Sequence, residues 1–446
     1  MAAGETIAAL ATAGGTGAVA LIRVSGPDAG AVVSKACDED RPFPDRRAVL
    51  RTIRTADGGV LDQVLVTRFE APRSYTGEEV VEVATHGGRL VTRRVLERLL
   101  ECGSRSAAPG EFTERAFLNG KLDLTQAEAV MDLISAQSDL ALRAAHEQLE
   151  GGIGRRTDEL RQDLIGTVAQ LEAWIDFPEE DIDPETGEAL VARIRAVREQ
   201  VGALLSTADQ GRILREGLRT VICGRPNAGK SSLMNALLGS DRAIVSETAG
   251  TTRDTIEELL VVDGVPLRMI DTAGLRAAGD VIEEEGIRRT MKEAGRADLL
   301  LIVVDGSLPP AEAMPADLPS VSRSIVILNK ADLGEAAGWD VPDAVRVSCT
   351  DGRGLEDLRH RIRELADLGE ADWGEHSVAI NARHRDCLTR TAASLDAAEG
   401  ALLEGADPEI TALSLRESLD YLGEVAGRVD TEEILGSIFS QFCIGK

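Results

Sequence analysis

Aromatic residues are scarce in this sequence: of 446 residues only twelve are Phe, Tyr or Trp. A single-strand nucleic-acid binder built on rows of stacking rings does not fit that composition. Cysteine is sparse as well. The six cysteines stand at 37, 102, 223, 349, 387 and 443 with no CxxC pair, and the five histidines form no ligand-spaced cluster. A zinc site of the usual spacing and a small disulfide scaffold are excluded on that ground. No run approaches the ~20 apolar residues of a membrane span. The opening MAAGETIAALATAGG carries Glu5 and no basic n-region, which makes a poor signal peptide, so a cytoplasmic protein with no membrane attachment is expected. Positive charge is the largest deficit: 49 Lys and Arg face 76 Asp and Glu, a formal charge of −27. That balance argues against a long basic surface gripping phosphates unaided. The deficit is uneven, since residues 1–120 hold sixteen acids against fifteen Lys and Arg. An anionic small molecule meets least repulsion there.

What is present is an ordinary globular composition, 43% hydrophobic and 28% charged, long enough for two to four domains. Three textures alternate. Residues 1–118 mix β-rich runs (Val19 to Val24, Gly59 to Thr67, Val80 to Val83) with turns and one amphipathic stretch, Leu90 to Leu100, a compact α+β unit. From Lys121 to Leu214, Ala, Leu, Glu and Arg recur at helical spacing, a bundle of long helices. The acidic, proline-bearing stretch 174–187 reads as a solvated connector. Residues 216–370 alternate strand and helix through TVIC, ELLVVDG, VPLRMID, DLLLIVVDG and SIVILNK, with Asp263-Gly264 as a hairpin turn. Helical texture resumes at Arg383. An α/β domain inserted into a helical bundle is the economical reading, and it brings 121–214 and 383–446 together.

Gly224 to Ser231 (GRPNAGKS) matches GxxxxGK[ST] between the strand TVIC and the helix SSLMNALL, the context a P-loop requires. Here Asn227, Ala228, Gly229, Lys230, Ser231 and Ser232 form the phosphate-binding set. Glycines let backbone amides close around phosphate oxygens, Lys230 reaches the β- and γ-phosphates, and Ser231 ligates Mg²⁺. About twenty residues on, Gly250-Thr251-Thr252-Arg253-Asp254 suits a loop that closes on the γ-phosphate with a second Mg²⁺ ligand. Asp271-Thr272-Ala273-Gly274 ends a strand, with its acid in the outer shell of the magnesium and the Gly274 amide toward the γ-phosphate. Asn329-Lys330-Ala331-Asp332 closes another strand. Asp332 can accept from N1–H and the exocyclic amine of guanine, whereas adenine would leave its carboxylate unsatisfied. Ser348-Cys349-Thr350 is placed to cap the base. Four motifs in this order read as a GTPase domain. The fold class expected is thus an α+β N-terminal domain, an α-helical bundle domain and an inserted α/β P-loop GTPase domain, a mixed sheet flanked by helices. The boundaries fall at 1–118, 119–215, 216–371 and 372–446. Hydrolysis poses a puzzle: the place just after DxxG, where many small GTPases carry a water-orienting glutamine, holds Leu275. The following VIEEEG offers Glu283, Glu284 and Glu285 instead.

GRPNAGKSS, GTTRD, DTAGLR and the terminal FCIGK together resemble the MnmE (TrmE) family of tRNA-modification GTPases. ETIAALAT, LIRVSGPDA, SYTGEEVVE, THGG and PGEFTERAFLNGKLDLTQAEAV extend the resemblance over most of the chain. It implies an N-terminal folate-binding and dimerisation domain, a split helical domain and an inserted GTPase domain. It also implies a homodimer acting with the FAD-containing MnmG flavoprotein on tRNA. The product is an aminomethyl-type (aminomethyl or carboxymethylaminomethyl) group at C5 of the wobble uridine, position 34. The one-carbon unit comes from 5,10-methylenetetrahydrofolate or a related tetrahydrofolate, with 5-formyl-tetrahydrofolate as an analogue, and K⁺ stimulates GTP hydrolysis.

Residue by residue, the resemblance makes Asn227, Ser246, Thr248 and Thr251 the K⁺ ligands, with Glu247, Ala249 and Gly250 in the same nucleotide-facing loop. Thr252 becomes the second Mg²⁺ ligand, and Glu283 the water-orienting glutamate that answers the Leu275 puzzle. Arg23, Glu82, Lys121 and Lys446 become the folate set, and Cys443 stands near the one-carbon chemistry. One departure is local: the family usually carries Pro-Pro-Gly where this chain has Ala13-Gly14-Gly15, so a looser turn is expected. Two decoys are dismissed. Gly15 to Ala20 fits GxGxxA but no helix follows to receive a pyrophosphate, and Cys443 to Lys446 is a poor prenylation box. A regulatory switch in ribosome assembly and an assembly scaffold are the competing readings. Such a switch usually carries an appended basic RNA-binding domain, which is missing here, and gives the folate residues no role. A chain this acidic needs a partner to supply basic surface for tRNA.

Overall fold

The computed structural model describes residues 4–37, 41–176, 185–240, 258–270, 295–315, 318–319, 321–366, 379–428, 432–440, 442 and 445. It comprises two compact units, one formed by Met1–Met131, Gly154–Glu159 and Leu422–Lys446, the other by Asp132–Ile153 and Leu160–Tyr421.

The first unit is built on a six-stranded sheet. Its strands are β1 (Ile7–Leu10), β2 (Val19–Ser25), β3 (Val49–Arg54), β4 (Val60–Phe69), β5 (Val80–His86) and β6 (Arg105–Ser106), in the order β3-β4-β5-β2-β1-β6. All neighbours are antiparallel except β1 and β6. Alternation along the strands sends Ile22, Val24, Ile53, Val64, Val66, Val81 and Val83 into one core with Val32, Val33 and Ala36 of helix Ala29–Cys37 and Val95 and Leu99 of helix Arg89–Glu101. Each fully buried aliphatic side chain contributes about 1.5–3 kcal/mol. The intervening positions, among them Arg23 and Glu82, belong to the other face. Helix Ala29–Cys37 and the strands β1 and β3 go beyond the runs expected from sequence. The helix is nine residues long, too short for a window of 11–18 residues to register its period. Helix Glu111–Leu118 follows the αL turn at Gly110, where a Cβ would stand 2.7 Å from the Phe439 carbonyl oxygen. The C-terminal residues Phe439 and Phe442 pack there, rings 5.5 Å apart.

The second unit holds another six-stranded sheet: β7 (Leu218–Cys223), β8 (Glu258–Val262), β9 (Val265–Met269), β10 (Leu299–Asp305), β11 (Ser324–Asn329) and β12 (Val345–Arg346), ordered β12-β11-β10-β7-β9-β8. β8 and β9 are antiparallel and the rest parallel, so the sheet is mixed. Near-continuous apolar runs such as Leu299 to Val304 are what a strand buried on both faces demands. The hairpin turns at Asp263-Gly264, φ 48° and 82°, both in the left-handed region that a two-residue type I′ loop needs. Helices Lys230–Ser240 and Leu355–Leu365 cover the sheet with Leu233, Leu237, Leu358 and Ile362.

Helix Glu185–Ser206 packs along helix Ala382–Leu403. Leu190, Ile194, Val197 and Val201 form one buried stripe, and Leu388, Leu395 and Ala398 another. Arg195 and Arg198 add ion pairs to Glu399 at 2.6 and 2.7 Å, each worth about 0.2–1 kcal/mol at such an edge. These two helices, one before and one after the α/β segment, thus meet in space. The expected connector at 174–187 is corrected at both ends: Trp174 to Asp176 finish helix Gly152–Asp176, and Glu185 to Gly187 begin the next. Partly buried Trp174 and Ile175 prolong the apolar stripe, which outweighs the acidic composition. Among the described residues, no helix is long and apolar enough to cross a membrane.

Candidate functional site

The P-loop is shaped by backbone that only certain residues tolerate. Gly224 has φ 152° and lies so near β10 that a Cβ would stand 2.1 Å from the Val303 carbonyl oxygen. Asn227 takes φ 62°, a left-handed value that asparagine adopts more readily than most residues. Gly229 has φ 98°, and a Cβ there would stand 2.0 Å from Nδ2 of Asn329. That amide donates to the Ala228 carbonyl at 2.9 Å, while Oδ1 of Asn329 accepts from the Cys349 backbone N–H at 3.4 Å. One buried asparagine therefore ties together the phosphate loop, the NKAD strand end and the SCT loop.

Around it opens a cleft of about 420 Å³ lined by Asn227, Gly229, Lys230, Ser231, Ser232, Asn329, Lys330, Asp332, Leu333, Cys349 and Thr350. Lys230 donates to the Gly224 and Arg225 carbonyls at 2.9 Å each, so its ammonium sits within the loop. Ser348 is fully buried and holds the SCT loop, its N–H donating to the Arg353 carbonyl and its Oγ accepting from the Asp351 N–H. Burial, then the nearby Asp332 carboxylate, pushes the Cys349 thiol up. Ala228 is buried and the Ala331 N–H donates to the Val347 carbonyl. Of the described residues expected from the sequence, Asn227, Gly229, Lys230, Ser231, Ser232, Asn329, Lys330, Asp332, Cys349 and Thr350 line this cleft, whereas Ala228, Ala331 and Ser348 are chain neighbours of lining residues. Leu333, which also lines it, was missed because its place depends on the turn after the NKAD motif. Ser246, Glu247, Thr248, Ala249, Gly250, Thr251, Thr252, Asp271, Thr272, Ala273, Gly274 and Glu283 lie outside the described residues.

The first unit holds a second polar constellation. Arg23 on β2 stands opposite Glu82 on β5, and both Nε and Nη2 donate to Oε1 of Glu82, at 3.1 and 2.9 Å. The Arg23 guanidinium lies 5.1 Å from the centroid of the Tyr75 ring and 5.8 Å from that of Phe112, cation–π distances. Lys121 donates to the Pro72 carbonyl at 3.1 Å, on the segment that carries Tyr75. Residue types alone would make Arg23 a surface strand residue; its side chain is only 15% exposed. Tyr75 lies in the segment SYTGEEVVE and Phe112 in EFTERAF, and only the fold brings both against Arg23. Beside them, Glu111 accepts from both Arg105 and Arg115 and from the Ala108 N–H. Burial would raise its pKa, but those hydrogen bonds outweigh it and bring it down to about 2. The C-terminus reaches this unit as well: Gly445, φ 103°, is buried with its Cα facing the Leu10 carbonyl. Cys443 and Lys446 lie outside the described residues.

Two family models match the chain: the GTP-binding protein TrmE N-terminus over residues 6–121 and the MnmE helical domain over residues 124–443. A tRNA modification GTPase MnmE of Akkermansia muciniphila is 52% identical over 446 residues, covering 99% of each chain. The chain belongs to the MnmE (TrmE) family. Other members are the tRNA modification GTPases MnmE of Geobacter sulfurreducens, 44% identical, and Alkalilimnicola ehrlichii, 47% identical, each with 99% of both chains covered. The resemblance carried by the motifs is thereby established across the whole length, N-terminal sheet and GTPase segment alike.

Proposed function

We infer that the chain, as a member of this family, is a tRNA-modification GTPase, and we propose that it hydrolyses GTP with K⁺ stimulation. With an FAD-containing MnmG-type flavoprotein it adds an aminomethyl-type group at C5 of uridine 34, from a tetrahydrofolate one-carbon unit. The observation that carries the nucleotide part is the Asn329 link, which joins the phosphate loop and the base loops around one cleft. Domain boundaries at 1–118, 119–215, 216–371 and 372–446, a homodimer and a cytoplasmic location belong to the same reading.

Lys230 leaves the loop carbonyls to meet the β- and γ-phosphates. Asp332, exposed at the cleft, accepts from the guanine edge, while Ser348, Cys349 and Thr350 close the base side. Ser231 stands in the first turn of helix Lys230–Ser240 at the cleft, which suits the Mg²⁺ that neutralises phosphate charge when bound; Thr252 is the second ligand, with Asp271 in the outer shell. Asn227, held in the left-handed region and exposed, fits a K⁺ ligand, with Ser246, Thr248 and Thr251 completing the set. Glu283 orients the attacking water, a polar duty that Leu275 cannot perform. In the other unit, Arg23 and Glu82 hold each other through only one carboxylate oxygen. Oε2 of Glu82 remains for an amino-pyrimidine edge, and Lys121 and Lys446 meet carbonyl or carboxylate groups of the carrier. Cys443 sits by the one-carbon chemistry.

The test uses the purified full chain. GTP turnover is expected to rise in KCl over NaCl. Lys230→Ala should lose GTP binding, while Glu283→Ala keeps binding and slows hydrolysis. Binding of 5-formyl-tetrahydrofolate should be saturable. Undiminished turnover in Glu283→Ala removes that residue from the mechanism, and an absent folate isotherm removes the folate site.

A further inference from the structure

Asp305 ends β10, in parallel register with Asn329 at the end of β11. Its Oδ2 accepts from the Lys330 ammonium at 2.5 Å, and its Oδ1 accepts from both the N–H and the Oγ of Ser307, at 3.0 and 2.6 Å. The turn that follows is fastened to the same loop: Gly306 N–H donates to the Asn329 carbonyl at 2.9 Å, and Ala336 N–H to the Gly306 carbonyl at 2.8 Å. Lys330 has φ 66° and ψ 35°, left-handed values that a non-glycine residue holds only where its surroundings over-determine it. Its side chain lines the cleft, and the ion pair leaves 31% of the lysine and 13% of the aspartate side chain exposed. Burial pushes the Asp305 carboxyl up, but Lys330 and Ser307 outweigh that and hold its pKa below the ordinary value.

A lysine pinned at both ends is not the usual mobile cation. Its backbone is held in the αL region and its ammonium rests on a carboxylate that is itself anchored. The methylene stem between them becomes a fixed strip of apolar surface beside Asp332. We propose that Asp305 is a positioning residue for guanine-nucleotide affinity: by holding the Lys330 ammonium it keeps the lysine stem in place as a wall of the cleft. The inference rests on the reading of this cleft as the nucleotide site and adds a residue that touches no nucleotide itself.

The test combines Asp305→Ala, Asp305→Asn, Lys330→Met and the double variant, in the full chain, with a fluorescent GDP analogue and with GTP. Losing a charge-assisted hydrogen bond of this kind should raise the GDP dissociation rate and the KM for GTP roughly tenfold in Asp305→Ala. The kcat at saturating GTP should stay within about twofold, because no reacting atom is touched. Asp305→Asn, which keeps an acceptor, should recover part of the loss. In the double variant Asp305→Ala should add nothing to Lys330→Met, since it acts through that lysine. Additive losses, or an unchanged dissociation rate in Asp305→Ala, overturn the proposal. If Asp305→Ala fails to fold, Ser307→Ala supplies a milder weakening of the same anchor, and an unchanged KM there counts against the proposal. Lys230→Ala separates the two levels: normal nucleotide binding in that variant sinks the cleft assignment, whereas lost binding there with normal behaviour in Asp305→Ala sinks only the role of Asp305.

Discussion

Asn329 and Ala228 are joined beside the cleft by a 2.9 Å hydrogen bond from a side-chain amide to a P-loop carbonyl. Removing that amide leaves buried partners unsatisfied, at a cost of about 1–3 kcal/mol. Asn329→Ala should therefore weaken GTP binding roughly ten- to hundredfold, measurable by titration calorimetry. Gly229→Ala should do similar damage from the other side, since its Cβ would collide with the same amide. GTP affinity within twofold of wild type in both variants would contradict the linkage.

Arg23 and Glu82 should be separable from the GTPase. Arg23→Ala is expected to weaken 5-formyl-tetrahydrofolate binding at least tenfold, the scale of a lost charge-assisted contact, with GTP turnover unchanged. Arg23→Lys should recover little, because a point charge replaces a planar fork lying against Tyr75 and Phe112. An unaltered folate isotherm would take Arg23 out of the site.

These two predictions show where the sequence was legible and where it was not. The P-loop and the NKAD strand end are local: consecutive residues carry their own chemistry, and strand and helix patterns flank them. The bridge made by Asn329 and the anchor made by Asp305 are not local. Asp305 meets Lys330 only because β10 and β11 run in parallel register, and an aspartate at a strand end looks like any turn residue until that register is known. Arg23 is similar, since its burial comes from Tyr75 and Phe112, distant in sequence. Helix Ala29–Cys37 escaped for a different reason, its shortness, and the ends of 174–187 because the acidic run masked the apolar stripe through Trp174 and Ile175.

Acid should act on the first unit through Glu111. Its carboxyl titrates at about 2 when folded, against an ordinary 4.5. A depressed folded pKa contributes stability that is fully present above the unfolded value and is lost as pH falls through the folded one, here on the order of 3 kcal/mol. Glu111→Gln is thus expected to lower stability most above pH ~5, with the gap to wild type closing between 4.5 and about 2. Denaturant melts across that range check it; a gap independent of pH would mean that the carboxylate charge is not what matters.

Gly445 should be intolerant of a side chain. Its φ of 103° is strained for other residues, and a Cβ would stand 2.1 Å from the Leu10 carbonyl oxygen. Gly445→Ala is expected to displace the chain end from the sheet, weakening folate binding while sparing GTP hydrolysis. Equal folate affinity in the variant would separate the C-terminus from the site.

The central claim is that GTP turnover here serves tRNA modification, and mass spectrometry of wobble nucleosides tests it most directly. Cells depleted of the protein are complemented with wild type or with Glu283→Ala, and their tRNA is digested and compared. The account predicts that C5-aminomethyl-type uridines disappear on depletion and return only with the hydrolysing protein. A nucleoside profile unchanged by depletion would contradict it, leaving a GTPase with some other task, ribosome assembly first among them.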